Sequence, residues 1–201
     1  MIARIAPFAA LALALSAAMP ASAQADAAQR FLEQKHDAVE RVMRRPANAQ
    51  RDAQLTRMLT DLLDYEELSR RALSDHWSEQ SEESRTEFVS LLRQLVERNY
   101  RSNLRRTLSF EVAYEGAEDR EGEALVRTRA RDRRNRRAPP VAIDYLMRKQ
   151  GTNWRVVDLT VDEGLSMVQN YRRQFNRIIR RDGWDGLINR MRSRLEDTGG
   201  D

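Results

Sequence analysis

Midway along the chain the spacing of apolar residues changes period, and that change restricts the fold more than any other feature. From Phe88, the residues Leu91, Leu92, Leu95, Val96, Tyr100, Leu104 and Leu108 follow at three- and four-residue intervals. That is one face of a helix of roughly seven turns. After Leu108 the interval becomes two. In "FEVAYE", Phe110, Val112 and Tyr114 alternate with Glu111, Ala113 and Glu115, the pattern of a strand covered on one face. A long helix with a single apolar stripe needs a broad apolar surface, and the sheet that follows it in sequence is the expected partner.

Three more alternating runs come after the first: "ALVRTRAR", "VAIDYLMRK" and "WRVVDLTV". The connections "GAEDREGE", "RDRRNRRAPP" and "QGTN" are short and rich in turn residues, so successive strands should pair antiparallel in a meander of about four. Upstream, Ala28, Phe31, Leu32, Val39, Val42 and Met43 form one helical stripe, closed by Pro46, and Leu55, Met58, Leu59, Leu62 and Leu63 form a second. "DYEELSRRALSDHW" has capping-box spacing in Asp64 and Glu67, and Ser81 is placed to cap the long helix. Downstream, "LSMVQNYRRQFNRIIRRDG" returns to helical spacing through Val168, Tyr171, Phe175 and Ile178. Ser166 and Gln169 make another capping pair there, Gly164 allows the turn out of the strand, and Gly183 ends the helix. A last short helix carries Leu187, Ile188, Met191 and Leu195. The order helices, antiparallel sheet, helices is an α+β fold.

The chain opens "MIARIAPFAALALALSAAMPASAQ". A basic residue, an apolar run to about Ala18, a proline and Ala21-Ser22-Ala23 read as a Sec-type signal peptide over residues 1–23. The expected organisation is then one domain over 24–196 and a frayed tail over 197–201. With no cysteine there is no lipobox, disulfide or thiolate chemistry. The reading is a protein exported to the periplasm. The formal charge of +4 rests almost wholly on arginine, since Lys35 and Lys149 are the only lysines. Export argues against a nucleic-acid partner and leaves an anionic membrane surface or an acidic protein.

Catalytic patterns are missing. The two histidines, His36 and His76, fall on different expected helices, and no H-E-x-x-H, G-x-S-x-G or glycine-rich phosphate loop occurs. A helix-and-sheet cone of the NTF2-like kind can host a buried acid, and Asp144 and Asp158 on strands are the candidates for it. No enzyme, cofactor or metal is expected.

Two segments carry a family resemblance. "NWRVVDLTVDEGLSMVQNYRRQF", followed by "GWDGLI", resembles the C-terminal signature of the MlaC-type (toluene-tolerance) periplasmic phospholipid-binding proteins. It does so through Trp154, Arg155, Val156, Asp158, Glu163, Gly164, Ser166, Asn170, Tyr171, Arg172, Phe175, Gly183, Asp185, Gly186 and Leu187. "DYEELSRRALSDHWSEQ" is similar to the family's central pattern, in which glycine usually stands where this chain has Ser74. The run from Asp158 to Gly164 is one residue longer than is common, so Asp162 or Glu163 can hold the family's acidic position.

What the resemblance implies is a phospholipid carrier with no catalytic role, its cargo held in an apolar cavity between sheet and helices. It implies shuttling between outer and inner membranes, in service of outer-membrane lipid asymmetry. The partners it implies are an outer-membrane lipoprotein complex and an inner-membrane ABC transporter with an MCE-domain subunit. A hopanoid or other polycyclic lipid is the alternative cargo, and a ligand-free envelope adaptor the alternative function.

A carrier is needed on physical grounds. Each exposed CH₂ costs about 0.8 kcal/mol in water, so roughly thirty acyl methylenes put spontaneous crossing beyond about 20 kcal/mol. The expected cavity walls are Leu92, Leu95, Tyr100 and Leu104 on the long helix and Val112, Tyr114, Ile143 and Tyr145 on the sheet, with Val168, Tyr171 and Phe175 closing one end. The same residues would also make an ordinary core, because periodicity gives direction and not the presence of a void. Glu163, Ser166, Arg172 and Arg173 at the strand-to-helix joint, with Arg133 and Arg134 in the arginine-rich turn, are the candidates for headgroup or partner contact. For the turn, a solvated hairpin tip is the plainer reading.

Overall fold

The computed structural model describes residues 21–107, 109–162, 164 and 166–196. Most of the signal segment (1–20) and the tail (197–201) therefore lie outside the described residues. Six helices and four strands follow in the order α1 (Ala21–Met43), α2 (Ala49–Thr60), α3 (Tyr65–Leu73), α4 (Asp75–Ser78), α5 (Glu82–Thr107), β1 (Phe110–Arg120), β2 (Glu123–Asp132), β3 (Val141–Gln150), β4 (Asn153–Val161) and α6 (Met167–Glu196). The four strands form one antiparallel meander in sequence order, so the α+β reading and its helix–sheet–helix order hold. The caps hold as well. Asp64 accepts from the Glu67 N–H at 3.0 Å, Ser81 from Ser84 at 3.2 Å and Ser166 from Gln169 at 3.0 Å. Gly183, at φ 72°, breaks α6 where the short last helix was expected.

The covering of the sheet differs from expectation. Among the described residues it is α1 that packs on β1 and β2, whereas α5 packs on α2, α3 and α6. The reason is the size of the inward residues. Ala25 and Ala28 are 1% and 0% exposed and let α1 approach the sheet closely, in one cluster with Leu32, Ala124, Val126, Met147, Trp154 and Val156. The stripe of α5 carries Phe88, Leu91 and Leu92 into a separate helical cluster with Ala72, Leu73, Phe175, Leu187, Ile188 and Met191. Among the described residues a third, small cluster joins Val42 of α1 to Leu55 of α2, and of the three only the first includes the sheet.

Two bulges shape the sheet. The β1–β2 register slips between Tyr114 and Gly116, where Gly116 takes φ 123°, and the β3–β4 register slips at Leu146/Met147. Each extra residue increases the local twist and bends its strand. Beside β4, the α2–α3 link makes a single parallel bridge, Leu63 to Val156, held by Val156 N–H to Leu62 O at 2.8 Å and Asp64 N–H to Val156 O at 3.0 Å.

Candidate functional site

The inner face of the sheet, the one that α1 covers, is mostly apolar, and its burial changes along its length. Direct cross-strand partners share a face, so the registers define its rows. Ala117, Val126, Tyr145 and Leu159 make one row, Tyr114, Thr128, Ile143 and Val161 the next, and Val112, Ala130 and Val141 a third. At the end where α1 begins, Val126 and Met147 are fully buried. At the other end Val112, Tyr114, Ile143 and Leu159 are half-buried, and Val161 is 42% exposed. Along its middle, β2 presents Ala124, Val126, Thr128 and Ala130, nothing larger than valine, between larger side chains on β1 and β3. The outcome is a strip of small side chains along β2 between larger neighbours, which we term the trough, with its apolar residues least covered at the end where β1 starts and β4 stops.

Over this trough α1 places His36. Its ring centroid lies 5.8 Å from that of Tyr114 and 5.9 Å from that of Tyr145, and its Nδ1 is 2.5 Å from the Tyr114 hydroxyl. Burial lowers the His36 pKa, against the pull of Glu40 and Asp37 in the other direction. Nδ1 and the phenol share one hydrogen bond, whose direction is set by the ring tautomer. Burial likewise pushes the Tyr114 phenol upward.

The expected wall residues fall into two groups. Val112, Tyr114, Ile143 and Tyr145 come together on the inner face of the sheet. Leu92, Leu95, Tyr171 and Phe175 instead join the helical core, where Phe175 stacks on Tyr171 at 5.4 Å and meets Phe88 edge-on at 5.3 Å. Val168 is buried in the first turn of α6. The side chains of Tyr100 and Leu104 lie outside the described residues. Thr128, Ala130, Leu159, Val161 and His36 belong to the trough and escaped the sequence reading. The signal for two of them was present in "VRTRAR". If Arg127, Arg129 and Arg131 face out, Thr128 and Ala130 must face in.

At the strand-to-helix joint the candidate contact residues are engaged in holding the fold. Asp158 Oδ1 accepts from the N–H groups of Leu159 at 2.7 Å and Val168 at 3.0 Å, and Ser166 caps the same helix. Asp158, considered as a buried acid, is thus a helix-start acceptor. Arg172 donates to the carbonyl of Arg71 at 3.1 and 2.6 Å. Asp162, at φ 51°, pairs with Ala142 through its N–H (3.0 Å) and its Oδ1 (2.9 Å). Glu163 lies outside the described residues, and Arg173 is exposed.

A cleft of about 570 Å³ opens beside the joint, lined by Arg70, Arg71, Ser74, Asp75, Asp158, Ser166, Val168, Gln169 and Arg172. Arg70 and Arg71 of its lining also belong to an ion-pair network in which Glu67 accepts from Arg70, Arg71 and Arg148, while Glu123 accepts from Arg71 and Arg148. A second cleft, about 740 Å³, lies on the outer face by the arginine-rich turn, between Glu111, Glu115, Arg129, Arg131, Arg136 and Pro140. Among the described residues no group of His, Asp and Glu is arranged to hold a metal, and no helix is long and apolar enough to cross a membrane.

A family model described as "MlaC protein" matches residues 32–193, from the middle of α1 to the end of α6. The chain belongs to the MlaC family. Among solved structures, its fold is similar to that of a phospholipid-binding protein from Ralstonia solanacearum in complex with a phospholipid. The TM-score is 0.71 at 24% identity, over 85% of this chain and 97% of that one. No curated protein sequence matches the chain. MlaC membership gives Ser74 a physical meaning. It occupies φ 52°, ψ −120° after the last turn of α3, a backbone region that glycine enters freely and other residues enter under strain.

Proposed function

We propose that this protein is a periplasmic phospholipid carrier, with the trough between α1 and the inner face of the sheet as the seat of the acyl chains. The observation that carries this reading is the mismatch between the apolar length of the sheet and the cover it receives. Val112, Ile143, Leu159 and Val161 keep apolar surface in water at one end, which a fold closed for its own stability would bury at about 25 cal/mol per Å². An acyl chain lying over Thr128 and Ala130 would cover it. Support comes also from the family, and from the similar fold of a phospholipid-binding protein whose structure holds a phospholipid.

In this reading α1 and the sheet hold hydrocarbon. The His36–Tyr114 pair is the polar point along that wall, and the headgroup stays at the open end. Shuttling between outer and inner membranes, with an MCE-type ABC transporter at one side and a lipoprotein complex at the other, is the transport role we infer from family membership. A polycyclic lipid such as a hopanoid is the alternative cargo, separated from a phospholipid by its smaller mass.

Native mass spectrometry on protein purified from the periplasm is the test. A co-purifying mass of phospholipid size is the expected result. Apoprotein alone, from gentle preparations at several detergent-free conditions, would overturn the carrier reading and favour an adaptor.

A further inference from the structure

The connection between β2 and β3 sits at the open end of the trough. Phe110 pairs with Asp132, Ala130 with Val141 and Ile143 with Val161, so the start of β1, the end of β2, the start of β3 and the end of β4 share that end. The turn leaving it carries five arginines and one aspartate over residues 131–137, and all five arginines are exposed. Two of them are engaged: Arg133 with Glu40 of α1 at 2.9 Å, and Arg136 with Glu111 at the long distance of 4.0 Å. Arg131, Arg134 and Arg137 have no carboxylate within ion-pair range among the described residues. Pro139 and Pro140 stiffen the return into β3.

We propose that this arginine tip docks the protein on an anionic bilayer surface, with the open end of the trough turned toward the lipid. The inference rests on the carrier reading above and adds the surface on which loading or release takes place. Cargo must leave or enter a bilayer without its chains crossing water, and an open end held against the lipid, beside the partner that hands the cargo over, meets that requirement. The tip surrounding that end has the chemistry of a diffuse anion binder. Its charges are exposed, three of the five have no carboxylate partner among the described residues, and they are spread along a turn with no aromatic residue among them. A protein partner's docking site is typically centred on buried aromatic or aliphatic anchors. Among the described residues the exposed large apolar side chain is Val161, at the same end, where it would meet the interfacial region of the membrane. Arginines near an anionic leaflet contribute about a fivefold gain in binding each.

The test is co-sedimentation of the mature protein with sucrose-loaded vesicles of phosphatidylcholine alone or of phosphatidylcholine mixed with phosphatidylglycerol. The wild type should bind the mixed vesicles and not the neutral ones, with binding lost at high salt. The triple variant Arg131→Ser, Arg134→Ser, Arg137→Ser should bind about a hundredfold more weakly, with an unchanged thermal unfolding curve. A control with equal charge loss, Arg57→Ser, Arg177→Ser, Arg180→Ser, should bind nearly as the wild type does. Equal losses in the two variants, or equal binding to both vesicle types, would overturn the proposal, and the second outcome would turn attention to an acidic protein partner. Native mass spectrometry of the same variants keeps the two readings apart. Phospholipid retained without vesicle binding sinks the docking surface and leaves the carrier standing.

Discussion

Arg172, in the first turns of α6, donates two hydrogen bonds to the carbonyl oxygen of Arg71, near the end of α3. The last carbonyls of a helix lack intrahelical partners, and a guanidinium fork satisfies one of them while joining two helices far apart in sequence. The N-Y-R element of the signature is therefore a clamp. Arg172→Ala should lower stability by about 1.5–3 kcal/mol, the range for a hydrogen bond to a charged group, as read by urea unfolding. Phospholipid should still co-purify. Loss of lipid with unchanged stability would instead make Arg172 a headgroup residue.

Ser74 invites the opposite experiment. At φ 52°, ψ −120° a side chain is strained by about 1 kcal/mol or more, and glycine, despite its larger unfolded-state entropy, removes that strain. Ser74→Gly should raise the urea midpoint by an amount equivalent to about 0.5–1 kcal/mol. A fall in the midpoint would show that the serine makes compensating contacts.

Glu67 is nearly buried, at 7% exposure. Burial pushes its carboxyl upward, but hydrogen bonds from Arg70, Arg71 and Arg148 outweigh that and hold its pKa at about 2. A folded pKa below the unfolded one means stability that is fully present above about pH 4.5 and lost as the pH falls through about 2. Glu67→Gln should cost about 3 kcal/mol at pH 7 and progressively less toward pH 2. A pH-independent difference would show that hydrogen bonding and not charge is responsible.

His36 titrates with its own sign. Its pKa is lowered by burial, so the unfolded chain binds the proton more readily, and stability falls as the pH drops below the ordinary value of about 6.5. The charged groups acting on it are Glu40 and Asp37 on α1, and the Tyr114 and Tyr145 rings pack against it from the sheet. His36→Gln should flatten the stability profile just below pH 6.5, measured by thermal unfolding across pH 5–8. An unchanged slope there would assign it to the carboxylates.

The trough itself is tested by a contrast of two substitutions on one face. Ile143 is half-buried in the open part and Val126 is fully buried in the sealed part. Ile143→Glu should leave a folded protein without its lipid, whereas Val126→Glu should fail to fold, since an unpaired buried charge costs several kcal/mol. If Ile143→Glu also unfolds, that end of the sheet is core and not a binding wall.

Local chemistry alone determined much of this molecule. The change from helical to alternating spacing at Phe110, the caps at Asp64, Ser81 and Ser166, and the break at Gly183 are each set by residues within a few positions of one another. The same holds for the signature from Trp154 to Leu187 that marks the family. Which layers meet was decided only in three dimensions. Periodicity said that Leu92 and Phe175 point inward, as Val112 and Ile143 do, but not that the first pair would enter a helical core and the second a trough. That choice turned on Ala25 and Ala28, whose small size lets α1 displace α5 from the sheet. It turned also on the two bulges, which bend the strands in a way that no alternation pattern encodes. Arg172 and Asp158 show the same limit. A sequence lists their charges, but only the meeting of α3, β4 and α6 in space supplies the backbone groups they bind.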